Sequence, residues 1–169
     1  MNESARPIDP IREAIQIFLN LKARIIDRLG DNKLSETIGS KLRTRSREIP
    51  EMILDLGLVP TLSFCLAKAG INNVRRVIHA MEREDDKSIN VDDTVKYAYA
   101  LYTYAILKYL TLITGDQVEE LLEKDEVIKF LKKLVETNAQ VPLYNILQPY
   151  LIQFKRVCEA TYRPEEELR

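Results

Sequence analysis

Between Pro10 and Leu29 the apolar residues Ile11, Ala14, Ile15, Phe18, Leu21, Ile25, Ile26 and Leu29 recur every three or four positions, which predicts an amphipathic helix. Asp9 is placed to cap it, Pro10 suits its first turn and Gly30 ends it. A second helix is expected from near Lys33, with Leu34, Ile38 and Leu42 on one side, until Pro50 interrupts the pattern. Pro50 then opens a short segment ending at Gly57, and Pro60 opens another, Thr61 to Ala69, stopped by Gly70. Asn72 or Asn73 suits the cap of the next helix, which carries Val74, Val77, Ile78 and Met81 ahead of a charged turn at Glu84, Asp85, Asp86 and Lys87. Asn90, Asp92 and Asp93 stand at the start of a long tyrosine-rich helix, where unpaired N–H groups favour acceptors, and Gly115 closes it. Asp116 is positioned to cap a short segment, Asp125 or its neighbourhood begins a helix over Val127 to Thr137, and Pro142 begins the last helix. Pro149 should kink or divide that final element, because it lacks an N–H and clashes with the preceding turn.

No stretch alternates apolar and polar residues between strand-like flanks, and almost every break carries helix-start or helix-stop chemistry. The fold class is therefore all-α: a single bundle of roughly six to eight helices, several of them short. Residues 1–169 read as one helical domain without internal repeat or dividing linker, with 1–8 and 163–169 as flexible ends.

Composition narrows the function classes. Hydrophobic residues at 46% and charged residues at 30% are a globular balance, which argues against disorder or a low-complexity chain. With 25 Lys and Arg against 26 Asp and Glu there is no global polycation, so any nucleic-acid site has to be a local patch. Cys65 and Cys158 each sit inside an apolar helical pattern, as small buried hydrophobes do. The start, with Arg6 and two prolines, lacks the pattern of a secretory leader, so a cytoplasmic chain with reduced thiols is expected. The most apolar stretch, Val95 to Thr114, carries Lys96, Lys108 and five tyrosines, which fits a buried helix better than a membrane span.

Groups able to move protons, hold metal or attack substrate are scarce. His79 is the only histidine; with Arg75, Arg76 and Arg83 at helical distances it reads as a surface or interface histidine rather than a general base. Nothing in the spacing of Cys65 or Cys158 favours a Cys-His pair. The carboxylate groups Asp85 with Asp86, Asp92 with Asp93, and Glu119, Glu120 and Glu123 invite a magnesium site, but each falls at a loop, a helix start or an exposed face where capping charges are ordinary. Gly39-Ser40-Lys41 superficially resembles the end of a phosphate loop, yet the upstream glycine is missing. No catalytic activity, metal or cofactor is expected.

Cations are better organised. Lys41, Arg43, Arg45 and Arg47 alternate with Leu42, Thr44 and Ser46. On a helix Lys41 and Arg45 share one flank and Arg43 and Arg47 the other, with the Leu34-Ile38-Leu42 stripe between them. Such a run can fork onto phosphate oxygens with help from the Thr44 and Ser46 hydroxyls; equally, it can serve as a helix end whose cations pair with Glu48 or Glu51. Arg75 with Arg76 and Lys155 with Arg156 are weaker basic pairs. Tyr97, Tyr99, Tyr102, Tyr104 and Tyr109 point around most of their helix, so packing at the core outweighs base stacking as their role.

The segment from Arg47 through Pro50, Met52, Ile53, Gly57 and Leu58 to Thr61, Leu62, Phe64, Ala67 and Lys68 resembles the small all-helical subunit of the type III-B (Cmr) CRISPR-Cas RNA-targeting complexes, in which a Pro-Met-Ile turn, a Gly-Leu break and a Thr-Leu-x-Phe helix ending in Ala-Lys follow in this order. Arg12 with Ala14, and Tyr150-Leu151 with Phe154-Lys155-Arg156, are similar to that family's end helices, while Leu56 stands where an asparagine is common and Pro149 departs from the final helix. The resemblance implies a non-catalytic protein that stacks in copies beside the backbone subunits of the complex and lines the guide-target RNA. On it, the RNA-binding candidates are Lys41, Arg43, Arg45 and Arg47, with Arg75, Arg76, Lys155 and Arg156 as secondary ones. A duplex of any sequence presents the same phosphates, so cations without base readout are the expected signature. The competing reading is a helical protein-protein adaptor that never touches nucleic acid.

Overall fold

The computed structural model describes residues 7–83 and 90–168. Among them run seven α-helices: α1 (Pro10–Arg24), α2 (Asn32–Leu56), α3 (Leu58–Ala69), α4 (Ile71–Glu82), α5 (Thr94–Thr114), α6 (Glu126–Glu136) and α7 (Gln140–Thr161). Short 3-10 turns at Ile26–Arg28, Val118–Leu122 and Glu165–Leu168 join or end them. The charged turn expected at Glu84 to Lys87 lies outside the described residues, together with the Asp85 and Asp86 pair.

The tyrosine-rich helix forms the centre. Residues 97–107 of α5 are buried without interruption, because the helix is apolar on every side and α1, α2, α3, α4 and α7 all pack around it. Asp93 starts it by accepting from the backbone N–H groups of Val95 and Lys96, and Gly115, left-handed at φ 75°, ends it. Tyr109 stacks on Tyr150 of α7 with ring centroids 4.2 Å apart, and the Tyr150 hydroxyl donates to the Ala105 carbonyl at 2.7 Å. Phe154, one turn on, meets Tyr102 edge-on at 5.7 Å and Phe18 of α1 at 5.9 Å. These aromatic contacts tie α1, α5 and α7 into one core.

Several element boundaries differ from the sequence expectation. α2 runs straight through Pro50, since the buried Ile49 and Ile53 hold both sides of the proline against the core; the break falls at Gly57, whose φ of 95° only glycine adopts readily. α7 likewise continues through Pro149. Pro149 and Asn145, whose carbonyl the missing N–H leaves without a helical partner, both lie on the exposed side, away from the core. α1 stops at Arg24 and a 3-10 turn carries the chain to Gly30. Neither Asn72 nor Asn73 caps α4, which starts after Gly70; the Asn73 amide instead donates to the Ala69 carbonyl at 2.8 Å, closing the end of α3.

Candidate nucleic-acid interface

α2 and α7 lie antiparallel: Gly39 meets Tyr162, and eight residues later Arg47 meets Glu159. This seam decides where the basic run goes. Lys41 pairs with Glu165 at 3.1 Å, beyond the end of α7, and the Thr44 hydroxyl donates to the same carboxylate at 2.8 Å. Burial works to raise the Glu165 carboxyl, but Thr44 and Lys41 outweigh it and hold the group below its ordinary range. The chain end at 165–168 is thus a 3-10 turn seated on α2. Arg45, with its side chain only 17% exposed, donates to the Tyr99 hydroxyl at 2.5 Å, lies 4.6 Å above that ring and pairs with Glu48 at 3.0 Å. Arg43 is half-buried, its Nε without a hydrogen-bond partner, and its charge reaches Cys158. Ser46 turns inward and donates to the Arg43 carbonyl. Arg47 is the open member: its side chain is 56% exposed beside Glu159, 3.5 Å away. Lys155 and Arg156 stand one turn before Glu159 on α7, the first half-buried and the second exposed. Helix packing therefore sets Arg47 beside Glu159 of α7, one turn from Lys155 and Arg156, and turns Lys41 and Arg45 toward partners within the chain.

The second cationic surface is denser. Arg75 and His79 of α4 and Arg83 just past its end recur every four residues with Arg76 beside them, and they line an open groove of about 460 Å³ against Leu122 and Glu123. Arg75 donates to the Leu122 carbonyl, which fixes its guanidinium at the groove wall. Arg76 and Arg83 are exposed. The charge of Arg76 reaches the Tyr97 phenol, which burial pushes up and Arg76 pulls back. Since Tyr97 faces α4 and Tyr99 faces Arg45 of α2, the two basic surfaces lie on different sides of α5. Sequence reasoning does not single out His79 and Arg83 as binding residues; their four-residue spacing with Arg75 is the available signal, and the Leu122 carbonyl that completes the groove is not visible in sequence.

The remaining candidate groups have structural surroundings. Tyr97, Tyr99, Tyr102, Tyr104 and Tyr109 are all buried, so none offers a face to a base. Burial pushes the Cys65 and Cys158 thiols up to about 12. Gly39 and Ser40 are buried in mid-helix, where a Cβ on Gly39 would come within 2.2 Å of the Tyr162 ring. Asp93 is the cap of α5, and Glu119, Glu120 and Glu123 are exposed about the 3-10 turn. Among the described residues no three His, Cys, Asp or Glu side chains gather to hold a metal, and no helix is long and apolar enough to cross a membrane.

Comparison with solved structures assigns the fold to a class. A chain of the type III-B Cmr-beta complex bound to non-cognate target RNA matches with a TM-score of 0.74 at 20% identity, covering 94% of this chain and 99% of that one. A chain of the Cmr-beta complex bound to cognate target RNA and AMPPnP matches at 0.71 and 18% identity, covering 91% and 96%. This chain shares the helical fold of those Cmr-beta chains. Residues 24–165 match the family model described as CRISPR-associated protein (Cas_Cmr5), and the chain belongs to that family. The CMR subunit Cmr5 of Saccharolobus solfataricus is 29% identical over 132 residues, which span 76% of this chain and 83% of the relative.

Proposed function

We propose that this protein is a non-catalytic inner-filament subunit of a type III-B CRISPR effector, stacking in copies beside the backbone subunits and contacting guide-target RNA through arginines that read charge rather than base identity. The observation that carries the proposal is the α4 groove, where Arg75, Arg76 and Arg83 converge on an open surface of a chain whose net charge is only -1. Planar guanidinium forks at a fixed spacing suit the repeated phosphates of a backbone, and they tolerate any target sequence. Arg47, Lys155 and Arg156 at the α2–α7 seam form a second contact, and the half-buried Arg43 lends its charge there. The solved relatives sharing this fold come from complexes bound to target RNA, and the family membership supports the same setting for this chain.

One feature favours protein partners as well. Ile11, Ile15 and Leu19 leave an apolar stripe exposed along α1, with Ile8 exposed just before it, as a stacking subunit or a helical adaptor requires. Purification of the assembly through a tagged copy of this chain, with and without nuclease, separates the two readings. Guide RNA that co-purifies and is protected from nuclease is the expected result; partner proteins retained at full yield with no RNA in the assembly would favour the adaptor.

A further inference from the structure

The contacts of Glu165 have the form of a ligand in a site. Its carboxylate presents one oxygen to Lys41 Nζ at 3.1 Å and the other to the Thr44 hydroxyl at 2.8 Å, with the Arg45 charge acting on it from the next turn. A phosphodiester likewise presents two oxygens that share one negative charge, so it can make the same pair of contacts. We infer that Lys41 and Thr44 form an oxyanion seat for an RNA phosphate, and that the chain's own Glu165 fills this seat until RNA displaces it. The inference rests on the reading above that this protein contacts guide-target RNA through its cations.

The local architecture allows the exchange. Tyr162 anchors the end of α7, its ring over Gly39 and edge-on to Phe18 at 6.0 Å, so the helix stays in place when the tail moves. Beyond it, Arg163 and Pro164 lead into the turn that carries Glu165, Glu166 and Glu167. The Glu165 side chain is 36% exposed, and the pair it forms with Lys41 is of the strength that a competing polyanion overcomes.

The test uses the full chain and a fluorescent oligouridine of about twenty nucleotides, followed by anisotropy across a salt series. Glu165→Gln should bind about threefold tighter at low salt, with a log-log salt slope steeper by ~0.7, the increment for one more neutralised phosphate. A chain ending at Arg163, which keeps the Tyr162 anchor, should show the same gain. Adding Lys41→Gln or Thr44→Val to Glu165→Gln should abolish it, and Asp55→Asn, an equal change of charge at an exposed position outside both basic surfaces, should give none. If neither Glu165→Gln nor the shortened chain gains affinity while Arg47→Ala and Arg76→Ala still weaken binding, the seat is wrong and the RNA reading stands. An equal gain from Asp55→Asn would reduce the effect to net charge and also overturn the seat. Binding unmoved by every one of these substitutions would overturn both.

Discussion

Arg45 lies in the middle of the basic run, yet its surroundings make it part of the scaffold, and replacing it by alanine separates the two roles. The guanidinium makes a charge-assisted hydrogen bond to the Tyr99 hydroxyl, a class worth about 1.5–3 kcal/mol. It also lies over the Tyr99 ring, which adds about 0.5–1 kcal/mol, and pairs with Glu48, which is half exposed and adds less than about 1 kcal/mol. These contributions share one side chain and do not sum, so Arg45→Ala should cost about 2–3 kcal/mol. For a chain of this size that lowers Tm by about 5–10 °C. Arg47→Ala removes one long, exposed pair and should lower Tm by no more than about 2 °C. Tyr99→Phe keeps the ring beneath Arg45 and removes only the acceptor, so it should fall between them. Thermal melts followed by far-ultraviolet circular dichroism in one buffer decide the matter. A Tm for Arg45→Ala within about 1 °C of wild type, or one matched by Arg47→Ala, would refute the structural assignment.

Other consequences follow from the core and its buried charges. Tyr150→Phe should cost about 1 kcal/mol through the missing bond to the Ala105 carbonyl, while Phe154→Ala, which empties a fully buried position between Phe18 and Tyr102, should cost about 3–5 kcal/mol in urea titrations. With both thiols pushed up to about 12 by burial, iodoacetamide at mildly alkaline pH should leave Cys65 and Cys158 unmodified in the folded chain and alkylate both in denaturant, as read by intact mass. Burial alone would raise the Glu82 carboxyl, but Lys108 at 2.8 Å and the Tyr104 hydroxyl at 2.6 Å overcome it and hold the group below its ordinary value. A lowered folded-state pKa gives stability that is complete above the unfolded value and is lost as pH falls through the folded one. Glu82→Gln should therefore flatten the fall of Tm on acidification below about pH 5.

How much of this was legible in the sequence depends on the range of the interaction responsible. Asp9, Asp93, Gly70 and Gly115 mark helix ends because capping and left-handed turns are local chemistry, and each stands where the pattern placed it. The long helix read as core because apolar residues on every side leave no face for water. Pro50 and Pro149 misled because their cost is local while the packing that offsets it, at Ile49, Ile53, Tyr150 and Phe154, is tertiary. The same limit applied to the cations. Spacing offered Glu48 as a partner for the run, and Arg45 takes it, but Glu165 is 124 residues from Lys41 and Tyr99 is 54 from Arg45, so spacing alone does not tell which members are turned inward. Packing separates them, leaving Arg47 open and turning Arg45 onto Tyr99.

The most direct measurement of the central claim is the salt dependence of target-RNA binding by the assembled complex carrying Arg76→Ala and Arg83→Ala in this subunit, two exposed arginines of the α4 groove. The account predicts weaker binding on every target sequence alike and a log-log salt slope reduced by ~0.7 for each phosphate no longer neutralised, with complex assembly and Tm unchanged. Wild-type affinity and an unaltered slope in a fully assembled complex would contradict it.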